Sequence, residues 1–167
     1  GITVGDADPG DRVTFLLAAN PGMAPAPIQR AASGGELSRV LLALRLVLSG
    51  GPDTMVFDEV DAGIGGATAL EVGSALSEVA ETSQVLVVTH LAQVAAHADQ
   101  QVRIAKSADE DATTTTVESV GGEARVVELS RMLSGTPDSA AARSNAKDLL
   151  ERVPRRAPDP STAGPTR

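Results

Sequence analysis

The chain contains no cysteine, tryptophan or tyrosine, and only two phenylalanines among its 167 residues. Without cysteine there is no disulfide framework and no thiolate zinc site. An aromatic content of 1% argues against the base-stacking platforms that hold single-stranded nucleic acid. Lysine is confined to Lys106 and Lys147, and acidic side chains outnumber basic ones by 22 to 14, a net charge of −8. A generally basic nucleic-acid surface is therefore excluded, and any DNA contact must be local and steeply salt-sensitive. Arg30, Arg39 and Arg45 are candidates for such a local surface, and equally for solvated helix positions or intramolecular pairs. No apolar run reaches the ~18–20 residues of a membrane span, so no membrane partner is expected. The N-terminal GITVGDADPG lacks both the basic region and the apolar core of a secretion signal. A cytoplasmic location is expected, and a first residue other than Met suggests a piece of a longer chain.

What is present suffices for one core. Hydrophobic residues make up 42% of the chain, and residues 1–152 read as a single α/β unit, with 153–167 (VPRRAPDPSTAGPTR) as a disordered tail. Val13–Ala19 reads as a buried strand and 20–32, with three prolines, as a loop. From Ser33 the spacing of Leu37, Val40, Leu41, Leu44 and Leu48 predicts a helix with a buried stripe. Thr54–Phe57 and Gln84–Thr89 read as strands and Ala67–Ala80 as the helix between them. That βαβ unit implies parallel pairing, and QVLVVT is apolar throughout, as in a sheet buried on both faces. A short helix over His90–His97 and a strand near Gln101–Lys106 follow. The Thr-rich Ala108–Thr116 reads as a turn into an edge strand. Two helices, Glu123–Leu133 and Pro137–Arg152, close the unit, the second with Thr136 as N-cap and Pro137 in its first turn.

Three motifs carry chemistry. In Ser33-Gly34-Gly35-Glu36 a capping box explains the serine and the glutamate. It does not explain two glycines in a first helical turn, each costing ~1 kcal/mol relative to alanine. Bare amides at a helix N-terminus favour an anion, most naturally phosphate. The second motif, Asp58-Glu59, directly follows an apolar strand at the edge where α/β sheets bind ligands. There one carboxylate suits Mg²⁺, a hard cation, and the next can orient a water. The third, Thr89-His90, ends the neighbouring strand at the same edge. Two glycine runs are decoys: Gly5–Arg12 has G-x4-G spacing but Asp-Arg where Lys-Ser/Thr is needed, and Gly63–Gly66 lacks the third glycine of a dinucleotide fingerprint. His90 and His97 have no acidic neighbours in ligand spacing, so a metal pair is not expected.

In this order and register the motifs resemble the C-terminal half of an ABC-type ATPase head. The segments SGGELSR, VFDEVDAGIGG and VTHLAQVAAHAD are similar to the SMC-like (structural maintenance of chromosomes) ATPases of bacterial DNA double-strand-break repair. FLLAANPG and SNAKDLL extend the resemblance over residues 10–152. It implies the C-terminal lobe of a P-loop ATPase head, built on a mostly parallel sheet flanked by helices. It also implies ATP and Mg²⁺ as ligands. Ser33, Gly34 and Gly35, with Glu36 beside them, match the signature motif that meets ATP held by an opposing head. Asp58 matches the Walker-B ligand of Mg²⁺, and Glu59 the glutamate that polarises the attacking water. Asp61, Ala62 and Gly63 match the D-loop at the head–head interface, and His90 the switch histidine that senses the γ-phosphate.

The implied partners are a second head across ATP, a P-loop lobe of the same protein, and DNA at the nucleoid. The chain has no G-x4-G-K-[ST] of its own. Alone, it is expected neither to bind ATP tightly nor to hydrolyse it. Two other readings stay open: an ATPase lobe of another ABC- or SMC-type protein, and a non-catalytic interaction module.

Overall fold

The computed structural model describes residues 14–18, 22–48, 51–109, 112–136 and 139–153. Gly5–Arg12, Pro137 and the tail beyond Val153 lie outside these residues. Of the expected buried strand Val13–Ala19, residues 14–18 are described; only Leu16–Leu17 (β1) is strand there, and Phe15 and Leu16 are exposed. β1 pairs antiparallel with Ala26–Pro27 (β2), which leads into a single turn, Ile28–Ala31 (α1).

The helix expected from Ser33 is Gly34–Val47 (α2), and its N-terminus carries the complete capping box. The buried face differs from expectation. Leu42 and Gly35 are the buried residues of α2, whereas Leu37, Leu41 and Leu48 are exposed. The 3.6-residue period was legible, but α2 offers two apolar faces, and among the described residues only the one bearing Leu42 finds a partner.

The βαβ unit is present. Thr54–Phe57 (β3) and Gln84–Val87 (β4) pair in parallel with Val56 opposite Leu86, and Gly66–Val79 (α3) connects them. This is the one parallel ladder among the described residues, so the expected larger parallel sheet reduces here to two strands. Burial on both faces is not found either. Met55 and Phe57 point into the core, while Val56 and Val88 on the other face are 63% and 61% exposed. Parallel sheets are found almost only with both faces covered, and the described residues cover one.

His90–His97 contains a single turn of helix, Ala92–Ala95 (α4). It joins two apolar clusters. Val94 packs with Leu42, Met55, Phe57, Val60, Val72 and Leu76. Ala92, Ala95 and Ala96 pack instead with Val126, Leu129, Ala146, Leu150 and Val153. Val153, assigned by sequence to the tail, thus belongs to the folded unit.

Gln101–Asp109 (β5) and Ala112–Val120 (β6) form an antiparallel ribbon nine residues long. Of Ala108–Thr116, read as a turn into an edge strand, the described residues are strand up to Asp109 and from Ala112 on, since β-branched threonine favours strands even where both faces are wet. Gly122–Ser134 (α5) and Ala140–Arg152 (α6) complete the unit. The N-cap of α6 is Ser139, whose hydroxyl accepts from the Ala142 amide, three residues beyond the expected Thr136. Thr136 instead closes a local turn with Ser134. Among the described residues, no helix is long and apolar enough to cross a membrane.

Candidate functional site

The site is built around the turn that follows β3. Asp58 and Glu59 are exposed there, Val60 is fully buried, and the turn closes with the Ala62 amide donating to the Glu59 carbonyl at 2.9 Å. Glu59 sits at φ +56°, the single described non-glycine residue with positive φ. Such backbone strain costs on the order of 1 kcal/mol and is held where surrounding contacts demand it. The Asp58 carboxylate accepts the Glu59 amide at 2.9 Å and remains otherwise open. Oxygen ligands on an exposed carboxylate suit a hard cation such as Mg²⁺.

The two glycines of α2 lie against this turn. A Cβ on Gly34 would overlap the Glu59 carboxylate, and one on Gly35 would stand 2.8 Å from both Ala62 Cβ and the Glu59 carbonyl. Gly35 therefore has a structural cause beside the expected phosphate site, since it lets the first turn of α2 close onto the Asp58–Ala62 turn, whereas at Gly34 the neighbour is the movable end of the Glu59 side chain. Ser38 and Arg39 fasten the contact. The Ser38 hydroxyl donates to the Asp58 carbonyl at 2.7 Å, and Arg39 Nη1 donates to the carbonyls of Ala62 at 2.8 Å and Val60 at 3.3 Å.

No sequence feature assigns this role to Ser38, and for Arg39 pairing within the molecule is one of the readings left open by sequence. The usable signal was spacing: Arg39 lies four residues after Gly35 and shares its helix face. Arg45 is likewise turned inward, its Nε donating to Met55 Sδ at 3.1 Å. Two of the three arginines considered for DNA thus serve the fold.

Glu36 is engaged in the capping box, its carboxylate accepting the Ser33 amide at 2.7 Å and the Ser33 hydroxyl at 2.9 Å. These bonds hold its carboxyl below the usual range. Ser33 itself is exposed.

Asp61 was expected in a loop lying across an interface. Its side chain is 3% exposed and accepts two hydrogen bonds. They come from the Thr89 hydroxyl and from the His90 amide at 3.0 Å, and His90 Nδ1 approaches the same oxygen at 3.1 Å. Burial raises the Asp61 pKa, but the bonds from Thr89 and His90 outweigh it and hold the carboxyl below its ordinary value. The His90 side chain is 75% exposed. His97 plays no part: its ring packs over Gly73 and its Nδ1 donates to the Gln93 carbonyl at 2.9 Å. The structure thus brings Ser33, Gly34, Gly35, Asp58, Glu59, Asp61 and His90 together around one turn.

No family model matches the chain. Whole-sequence comparison finds DNA repair protein RecN of Streptomyces coelicolor, 52% identical over 143 residues, covering 84% of this chain and 25% of that protein. RecN of Mycobacterium leprae is 48% identical over 153 residues (90% and 26%), and that of Deinococcus radiodurans 49% over 138 residues (83% and 24%). Among solved structures, a chain described in work on ATP-driven dimerization and DNA-stimulated activation of SMC ATPases superposes with a TM-score of 0.46. It is 24% identical and covers 73% of this chain and 81% of its own. The chain spans about a quarter of the length of the relatives it matches, and by that sequence likeness it belongs to the RecN family.

Proposed function

We propose that the chain is the signature, Walker-B and switch-histidine lobe of an SMC-like ATPase head in a bacterial DNA double-strand-break repair protein. The supporting observation is the convergence of the three motifs: the α2 start lies against the Glu59 turn, and that turn is bonded to His90 through Asp61. The relatives' description as DNA repair proteins supports the process.

In this reading each residue acts on a phosphate or on water. Asp58 holds Mg²⁺, which when bound neutralises charge on the phosphate oxygens. Glu59 orients the attacking water and takes its proton. Ser33 and the amides of Gly34 and Gly35 receive the γ-phosphate of ATP carried by a second head, so that hydrolysis is coupled to dimerisation. His90 faces the same phosphate, and Ala62–Gly63 lie along the head–head boundary. Catalysis is by positioning and charge stabilisation. A P-loop lobe from the rest of the protein supplies the main phosphate cradle. The bare apolar faces of β3–β4 and α2 are its seat, and DNA is contacted by the assembled protein.

The test uses a full-length RecN protein containing this segment. Glu59→Gln should trap ATP and stabilise the dimer while turnover falls by ~10²–10³-fold, the scale of losing one catalytic group. Unchanged turnover removes Glu59 from the mechanism. The 167-residue chain, titrated alone with labelled Mg·ATP, should neither bind at micromolar concentration nor turn over.

A further inference from the structure

The carbonyls of the Asp58–Ala62 turn are all engaged, but local amides reach only two of them. Ala62 N–H donates to the Glu59 carbonyl at 2.9 Å and Ile64 N–H to that of Asp61 at 3.3 Å. The other three are taken by two successive residues of α2. The Ser38 hydroxyl donates to the Asp58 carbonyl at 2.7 Å, and Arg39 Nη1 donates to those of Val60 and Ala62. Ser38 and Arg39 lie three and four residues after Gly35, on the helix face that meets the turn. A serine inside a helix commonly bonds back to the carbonyl four residues before it. Ser38 reaches across to another element instead.

The peptide it reaches is the one that decides the conformation of Glu59. Turning the planar Asp58–Glu59 peptide changes ψ of Asp58 and φ of Glu59 together. That is the move by which Glu59 would leave φ +56° for the ordinary region. Both ends of this peptide are held, its carbonyl by Ser38 and its N–H by Asp58 Oδ1 at 2.9 Å. In the ATPase reading the Asp58 carboxylate is also claimed by a cation. The single hydroxyl proton of Ser38 is committed to the peptide.

We propose that Ser38 is a positioning residue for Glu59: holding the Asp58 carbonyl from α2 fixes the left-handed backbone of Glu59 and the direction in which its carboxylate leaves the turn. Arg39 secures the far side of the same turn. Ser38 has no chemistry of its own in the reaction and acts through Glu59. The hold on the peptide stands on the geometry alone, while its use in hydrolysis rests on the ATPase reading above.

Two side chains of one shape isolate the hydroxyl. Threonine keeps it, valine lacks it, and both bring the same branched Cβ into the helix. In a full-length RecN protein containing this segment, Ser38→Thr should turn over ATP close to the wild-type rate. Ser38→Val and Ser38→Ala should lower kcat by ~10–10²-fold, the scale of a displaced catalytic group, with little change in KM. Combined with Glu59→Gln, Ser38→Ala should cost nothing further, because no carboxylate remains to be misdirected. Equal rates for the threonine and valine variants overturn the proposal. So do wild-type kcat in Ser38→Ala, and a loss in the double variant that adds to that of Glu59→Gln.

Backbone exchange separates the proposal from the reading it rests on. In the same full-length protein, Ser38→Ala should speed hydrogen exchange over 58–62 and leave α3 protected, whereas Ser38→Thr keeps both slow. Unchanged exchange over 58–62 in Ser38→Ala overturns the hold on the peptide. Full turnover by Glu59→Gln removes the catalytic role of Glu59, and exchange alone then decides whether Ser38 fixes its backbone.

Discussion

Gly35 has backbone on one side and a methyl group on the other. Alanine there must displace either the Glu59 carbonyl or Ala62, each 2.8 Å from the added carbon. Overpacking against such neighbours costs ~1–3 kcal/mol, so Gly35→Ala should lower the urea midpoint with an unchanged slope. An unaltered midpoint would mean that α2 can move away from the turn freely. The sequence made the glycines conspicuous by their cost in a helix, but it named only phosphate as their reason. The second reason, contact with a turn more than twenty residues away, has no local signature.

Asp61 carries a pH dependence whose sign follows from its bonds. Its folded pKa lies below the ordinary 3.8, so its stabilising contribution is complete above about pH 5. It is lost as pH falls through the folded value. Acid unfolding of the wild-type chain should therefore steepen below about pH 4, and Asp61→Asn should flatten that limb. An identical acid limb in the two proteins would show that the carboxylate contributes nothing as an anion.

At the scale of elements, α2 and the Asp58–Ala62 turn behave as one piece because Ser38 and Arg39 donate to three carbonyls of the turn. Hydrogen bonds from a charged donor contribute ~1.5–3 kcal/mol net. Arg39→Ala should cost about that much in urea and speed hydrogen exchange at the amides of Ala62 and Ile64, whose bonds close the turn. Protection unchanged in the variant would make the arginine a surface residue after all. Element types were largely legible, since periodicity distinguishes a 14-residue helix from an apolar strand. What misled was the inference from pattern to environment. Leu37, Leu41 and Leu48 have core spacing but lie in the open, and the threonines of β6 have turn-like polarity but pair in a ladder.

For the whole molecule the exposed leucines and valines share one cause. A sequence pattern records the surface a segment buries in its complete setting, whereas the described residues cover only one side of β3–β4 and of α2. The difference is measurable. Val56→Thr with Val88→Thr keeps strand propensity and removes methyl groups from the bare face. In the isolated chain this pair should leave unfolding free energy within ~0.5 kcal/mol and reduce concentration-dependent association in sedimentation. Leu42→Ala, on the covered face, should cost ~2–5 kcal/mol. On the proposed seating of a P-loop lobe against this face, the threonine pair should become destabilising in full-length RecN. If the pair weakens the isolated chain as severely as Leu42→Ala, the face is already covered within these 167 residues, and the proposed seat for a second lobe is lost.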